Sequence, residues 1–297
     1  MKGPATANPG GNRPTRRRTL AVAALIIAAS ALAGCATLGS PSVAENNDDA
    51  LYGPSQSNLT SLSEVIQQHP SDPQAYNMRG SAYGEAGMNE QALADFNKAI
   101  GLDPHYAQAY ANRGLVYRHM NNLEPALADY NKALSIEPSY AAAYLGRGIV
   151  YSLQGQTMQA LADFNKAIAL RPNNAEAYYN RGLLYQSQGQ HQFAIDDFTT
   201  AIGLGPQREQ PYVARALSYL AGNNNSSAAT DLDQAVQLNP SDAKAWTTRG
   251  LAYERLGQKD KAAGCYAKAL NLNAKYEPAV AGFARVGGQV GKTYQTF

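Results

Sequence analysis

From residue 73 the sequence repeats itself every 34 residues, six times, with no insertion or deletion. A chain with this period has to build one small unit and stack copies of it, because a unit this short cannot bury its own apolar face. Six columns carry the repeat. They are Tyr76, Tyr110, Tyr144, Tyr178, Tyr212 and Trp246; Gly80, Gly114, Gly148, Gly182, Ala216 and Gly250; and Tyr83, Tyr117, Tyr151, Tyr185, Tyr219 and Tyr253. Then come Ala92, Ala126, Ala160, Ala194, Ala228 and Ala262; Phe96, Tyr130, Phe164, Phe198, Leu232 and Tyr266; and Ala99, Ala133, Ala167, Ala201, Ala235 and Ala269. The bias of the composition, 19 Tyr against a single Trp, is the trace of slots filled once per unit.

Apolar residues recur at three- and four-residue steps in two stretches of each unit, which predicts two helices per unit. Between them stands Gly87, Asn121, Gly155, Gly189, Asn223 or Gly257, the residue types that accept the left-handed backbone ending a helix. The Gly and Ala columns are small because paired helices approach closely there. Pro104, Pro138, Pro172, Pro206 and Pro240 close five of the units, since Pro does not sit inside a helix. Asp72-Pro73 predicts a helix start, an N-cap followed by Pro at the first helical position.

These columns resemble the tetratricopeptide repeat (TPR), whose pattern is an aromatic, Gly, Tyr, Ala, aromatic, Ala, Pro series at the same spacings. The resemblance implies an all-α fold, a right-handed superhelical TPR solenoid of antiparallel helix pairs. The units run 73–106, 107–140, 141–174, 175–208, 209–242 and 243–276. Residues 58–72 predict a lone second helix before them, with Pro70 on the Pro column and Val65 on an Ala column. Residues 277–286 predict a capping helix, and 287–297 a tail. Two departures stand out: Arg replaces the usual Leu before the Gly column, and Ala274 stands where the sixth Pro is expected.

The N-terminal segment reads differently. Residues 1–19 are polar and basic, and Leu20 to Ala33 is an apolar run of fourteen residues. A helix of that length rises about 21 Å, short of the roughly 30 Å hydrocarbon core, and fits a signal-peptide core. The run ends Leu32-Ala33-Gly34-Cys35. This resembles the bacterial lipobox and implies cleavage after Gly34, with lipid on Cys35 and on the new amino terminus. Residues 1–34 are thus expected to be a cleaved signal peptide and 35–57 a lipidated, disordered tether rich in Ser, Asn and acids. Ala36, where an Asp implies inner-membrane retention in lipoproteins of enteric type, favours the outer membrane, facing the periplasm. Inner-membrane anchoring is the alternative.

Charge and chemistry exclude several functions. The chain has 25 Lys and Arg against 23 Asp and Glu, but five of the basic residues lie in the first 34, which hold no acid. The rest is mildly acidic, which argues against nucleic-acid binding. Two cysteines are too few for a disulfide scaffold. The four histidines show no ligand spacing, and the sequence carries no nucleophile elbow, zinc motif or phosphate-binding glycine loop. No enzyme activity, metal or cofactor is expected. Arg79, Arg113, Arg147, Arg181, Arg215 and Arg249 precede the Gly column, and Asp95, Asp129, Asp163, Asp197 and Asp231 hold one second-helix column, with Cys265 in the sixth unit. They read either as ion pairs between the paired helices or as a ladder for an anionic ligand, and their matched periodicity favours the pairs.

The TPR resemblance also implies that the first helix of each unit lines a concave face through unit positions two, five, nine, twelve and thirteen. The middle of that face is apolar, and the expected partner-binding residues are Leu115, Arg118, Leu145, Ile149, Leu153, Tyr179, Leu183, Gln186, Val213 and Leu217. Such a patch suits an amphipathic helix or extended peptide. Lipobox plus repeats resembles the TPR lipoprotein that scaffolds cell-wall hydrolases, and equally the TPR pilotin that helps assemble a type IV pilus secretin. The expectation is therefore a lipid-anchored adaptor whose partners are envelope proteins, held at the membrane by its lipid; the sequence is silent on its oligomeric state.

Overall fold

The structure, a computed structural model, describes residues 56–289 and 291–294. The expected signal peptide, Cys35 and the tether up to residue 55 lie outside the described residues. The described chain holds fourteen helices and no strand. They are α1 (Gln56–Gln68), α2 (Pro73–Glu85), α3 (Asn89–Leu102), α4 (Ala107–His119), α5 (Leu123–Ile136), α6 (Ala141–Leu153) and α7 (Thr157–Leu170), then α8 (Ala175–Ser187), α9 (His191–Leu204), α10 (Glu209–Ala221), α11 (Asn225–Leu238), α12 (Ala243–Arg255), α13 (Lys259–Leu272) and α14 (Glu277–Arg285). Helix α1 thus begins two residues before the start expected for the lone helix. Each of the six units is one antiparallel pair, α2–α3 through α12–α13, with α1 packed on α2 and α14 on α13.

The ends of the helices follow the sequence. Asp72 caps α2 by accepting from the Gln74 amide at 2.9 Å, and Asn174 and Asp242 do the same for α8 and α12. Each first helix ends in a left-handed residue. Asn121 and Asn223 take φ of 59°, and the glycines at the same column take 71° to 75°. The next amide then bonds back five residues, as Asn122 N–H does to the Tyr117 carbonyl at 2.8 Å.

Packing within a unit joins the Gly column to the aromatic column. A Cβ added to Gly148 would sit 2.9 Å from the Phe164 ring, and one added to Gly182 would sit 2.7 Å from Phe198. The fifth unit confirms the logic: Ala216 replaces Gly where Leu232 replaces the ring, and both are fully buried. The same ring also faces the following unit. Where the column holds Tyr (Tyr130, Tyr266), the residue over it one unit later is Gly146 or Gly282, and an added Cβ there would overlap the phenol. Where it holds Phe or Leu, the overlying residue is Asn112, Asn180, Ala214 or Thr248. The phenol oxygen takes the space that a side chain would need.

The Arg column fastens three helices at once. Arg147 donates from Nε and Nη2 to the two oxygens of Asp163 at 2.7 and 2.8 Å, and from Nη1 to Asn131 of the preceding unit at 2.6 Å. Its guanidinium also lies between the Tyr144 and Tyr151 rings. Arg79, Arg113, Arg181 and Arg215 repeat this, with Ser63, Asn97, Asn165 and Thr199 as the third partner. The Asp hydrogen bond raises the pKa of each of these five arginines. Periodic Arg and Asp are thus structural pairs, and the arginines do not form an open ladder. The sixth unit reroutes the pair. With Cys265 in the Asp column, Arg249 turns to Asp233 of the preceding unit at 2.6 Å, an acid standing where other units have Asn or Thr. Burial pushes the Cys265 thiol up to about 11, so it stays a protonated core group.

Candidate functional site

First helices of successive units touch one another from α2–α4 to α12–α14, whereas among the described residues no two second helices do. The array therefore curves with its first helices inside. On α4, Leu115 and Arg118 are one turn apart and share a face, as do Gly146, Ile149 and Leu153 on α6. Leu115 and Leu153 are exposed, at 38% and 61%, and Ile149, Leu183 and Leu217 are half-buried. These five form the apolar part of the inner surface.

Other expected contact residues are placed differently. Leu145 and Val213 are buried, at 6% and 8%, inside the cores of their own and neighbouring units. Position five lies where consecutive inner helices meet, and close helix contact removes it from the surface. Tyr179 is half-buried, its ring 5.9 Å from Phe198. Gln186 reaches across a joint, donating from Nε2 to the Ala214 carbonyl and to Ser218 Oγ, both at 2.8 Å. Arg118 is half-buried, and its Nε is buried without a hydrogen-bond partner. Gly146 has no place among the expected contacts because it offers no side chain; it is buried, and the Tyr130 phenol fills the space over it. The signal for it is the switch from Phe to Tyr one unit earlier.

Titratable groups elsewhere serve packing. Among the described residues no cluster of three His, Cys, Asp or Glu could hold a metal ion, and no helix is long and apolar enough to cross a membrane. Glu254 accepts from Tyr266 and Arg285, and the Arg285 bonds hold its carboxyl below the usual range against the opposite pull of burial. Glu209, the first residue of α10, is buried and accepts from Asn239 Nδ2 at 2.8 Å. Burial, and next the facing Asp242, raise it to about 7. Its folded pKa lies above its unfolded one, so its contribution favours the fold below the ordinary carboxylate range and is lost as pH rises through about 7. Thermal melts of wild type and Glu209→Gln should therefore diverge between pH 5 and pH 8, with the variant gaining relative stability toward pH 8. Parallel curves would refute the buried carboxyl pair.

Models described as TPR repeat match residues 80–119 and 150–189, and models described as tetratricopeptide repeat match residues 107–140, 129–162, 175–207 and 213–278. No curated protein sequence matches. Solved structures share the fold. The APC/C hetero-tetramer Cut9–Hcn1 matches at TM-score 0.69 and 17% identity over 77% of this chain, which spans 45% of that one. YrrB, described as a TPR protein with an unusual peptide-binding site, matches at TM-score 0.53 and 25% identity, covering 63% of this chain and 96% of its own. PilW, described as a widely conserved type IV pilus biogenesis factor, matches at TM-score 0.65 and 19% identity, covering 70% and 97%. Columns, helix pairs and family models agree over the body of the chain, which belongs to the tetratricopeptide repeat family.

Proposed function

We propose that the protein is a lipid-anchored scaffold of the bacterial cell envelope that binds segments of partner proteins on its inner face. The observation that carries this reading is the row Leu115, Ile149, Leu153, Leu183 and Leu217, apolar side chains exposed or half-buried along successive inner helices. A contiguous apolar row of this kind marks an interaction surface. YrrB is described as having a peptide-binding site, and its likeness supports the same use here. The Leu32-Ala33-Gly34-Cys35 sequence supports the anchor, because two or three acyl chains hold a domain at a membrane where one does not. Ala36 supports the outer membrane, and the absence of any catalytic constellation in the sequence supports a purely binding role.

The test is in vivo crosslinking and capture of wild type beside a variant carrying Ile149→Asp and Leu183→Asp. A set of envelope proteins should be captured by the wild type and lost by the variant at unchanged helical content. A set that survives in the variant would move the interaction off the inner face. In parallel, Cys35→Ala should abolish lipid labelling and signal-peptide cleavage. The second reading, a pilotin-like assembly factor for an outer-membrane secretin, draws on the fold shared with PilW; it requires a deletion strain to lose secretin multimers.

A further inference from the structure

We propose that the two ends of the array bind each other between copies of this chain, α14 of one copy pairing with α1 of the next to complete a further unit.

Each end is half a unit. Helix α1 is a second helix without its first, and α14 is a first helix without its second. The segment before α1 does not carry the missing pattern: Ser42, Asn46 and Asp49 stand on the first aromatic, Gly and Tyr columns. After α14 no helix follows among the described residues. Solenoid ends need a polar outer face to stay apart in water, and these two faces are apolar. Ala99 and its equivalents are fully buried in all six units, yet Val65 on the same column is exposed. At every later joint the residue over the aromatic column, from Asn112 to Gly282, is buried or half-buried; Met78, in register with them, is 51% exposed. On α14, Ala284 is exposed where the Gly column of all six units is buried, and Val280 is exposed where the first aromatic column is covered.

The two halves match in size and in charge. Pairing would set Ala284 of the Gly column against Leu62 of the aromatic column. Ala216 and Leu232 make that combination inside the fifth unit, where both are fully buried. Every complete unit brings an Arg to this place and five bring an Asp. Phe283 holds the Arg column of α14 and Ser61 the Asp column of α1, so neither half carries a charge for which the other has no partner. A joint between two different surfaces is heterologous. Each copy added leaves one open end of each kind, and association continues in line.

The chain's own tail covers part of α14. The Tyr294 ring meets Phe283 edge-on, with centroids 5.9 Å apart, and Lys292 reaches Asp260 at 3.7 Å in an exposed pair. Such a pair adds little. The Gln289 N–H bond to the Tyr294 hydroxyl lies within the tail itself. One ring contact therefore holds the tail, and an arriving α1 displaces it.

The test replaces Val280 by benzoylphenylalanine, on a column where six units already hold Tyr or Trp, in cells carrying two differently tagged full-length copies. Irradiation should link the tags, and peptide mapping should place the link within residues 56–68 of the other copy. The purified full-length protein in detergent should sediment as a series that grows with concentration. Val65→Asp and Ala284→Asp change exposed residues and should leave the fold intact. Each should weaken association roughly a hundredfold, because the joint would bury an unpaired carboxylate. Mixed together, the two variants keep one good joint and should form dimers and nothing longer. Tyr294→Ala should strengthen association about fivefold, the weight of one ring pair. A link only to the tail of the same chain, or a monomer at every concentration in both wild type and Tyr294→Ala, would overturn the proposal. So would variants that fail to complement each other. Self-association lost with Ile149→Asp and Leu183→Asp would overturn it too, by moving the contact between copies onto the inner face.

Discussion

Replacing Asp163 with Ala is expected to destabilise the array by about 3 kcal/mol, the loss that follows when one partner of a buried ion pair is removed. The reason is what remains. Arg147 keeps its charge and its place between two Tyr rings and loses two of its three hydrogen bonds, keeping the one to Asn131. Removing the whole pair with Asp163→Leu and Arg147→Met should cost less than Asp163→Ala alone, because no unpaired charge then stays behind. Urea unfolding gives both numbers, and hydrogen exchange should place the weakening in α5, α6 and α7. A cost below about 1 kcal/mol would show that water reaches Arg147 freely.

The second large effect is a rescue. Gly146→Asn should cost about 2–3 kcal/mol, because its Cβ would overlap the Tyr130 phenol and a packed core gives little room. Tyr130→Phe on that background should recover most of the loss. The pair would then match Phe96 with Asn112 and Phe164 with Asn180, combinations the array already holds. Each change alone and both together form a cycle whose coupling should exceed 1 kcal/mol. Additive effects would mean that the two joints of this kind owe their glycines to something other than the phenol.

The fold was legible because its determinants are periodic. Gly148 against Phe164 and Arg147 against Asp163 recur in almost every unit, so one sequence shows each contact several times. The exceptions were harder. Cys265 announces that Arg249 has lost its acid, but the replacement, Asp233 sixteen residues back, emerges only from the structure. The inner face was legible only as a set of positions. Leu145 and Val213 sit at an outward-reading position, yet contact between consecutive inner helices buries them, and that closeness is not written in either helix alone. Arg118 reads as one more polar groove residue; that its Nε is buried without a hydrogen-bond partner emerges only from the structure.

The joints also bear on how a chain like this can change length. A 34-residue unit can be excised cleanly only where its neighbours suit one another. Removing the fourth unit would place Ala214 over Phe164 and Arg215 beside Asn165, pairings of kinds already present. Removing the third would lay Asn180 on the phenol of Tyr130, and removing the sixth would strand Asp233 without Arg249. The second and third units, and the fifth with the sixth and its cap, therefore fit only as blocks, and the fourth can be removed between them with joints of kinds already present.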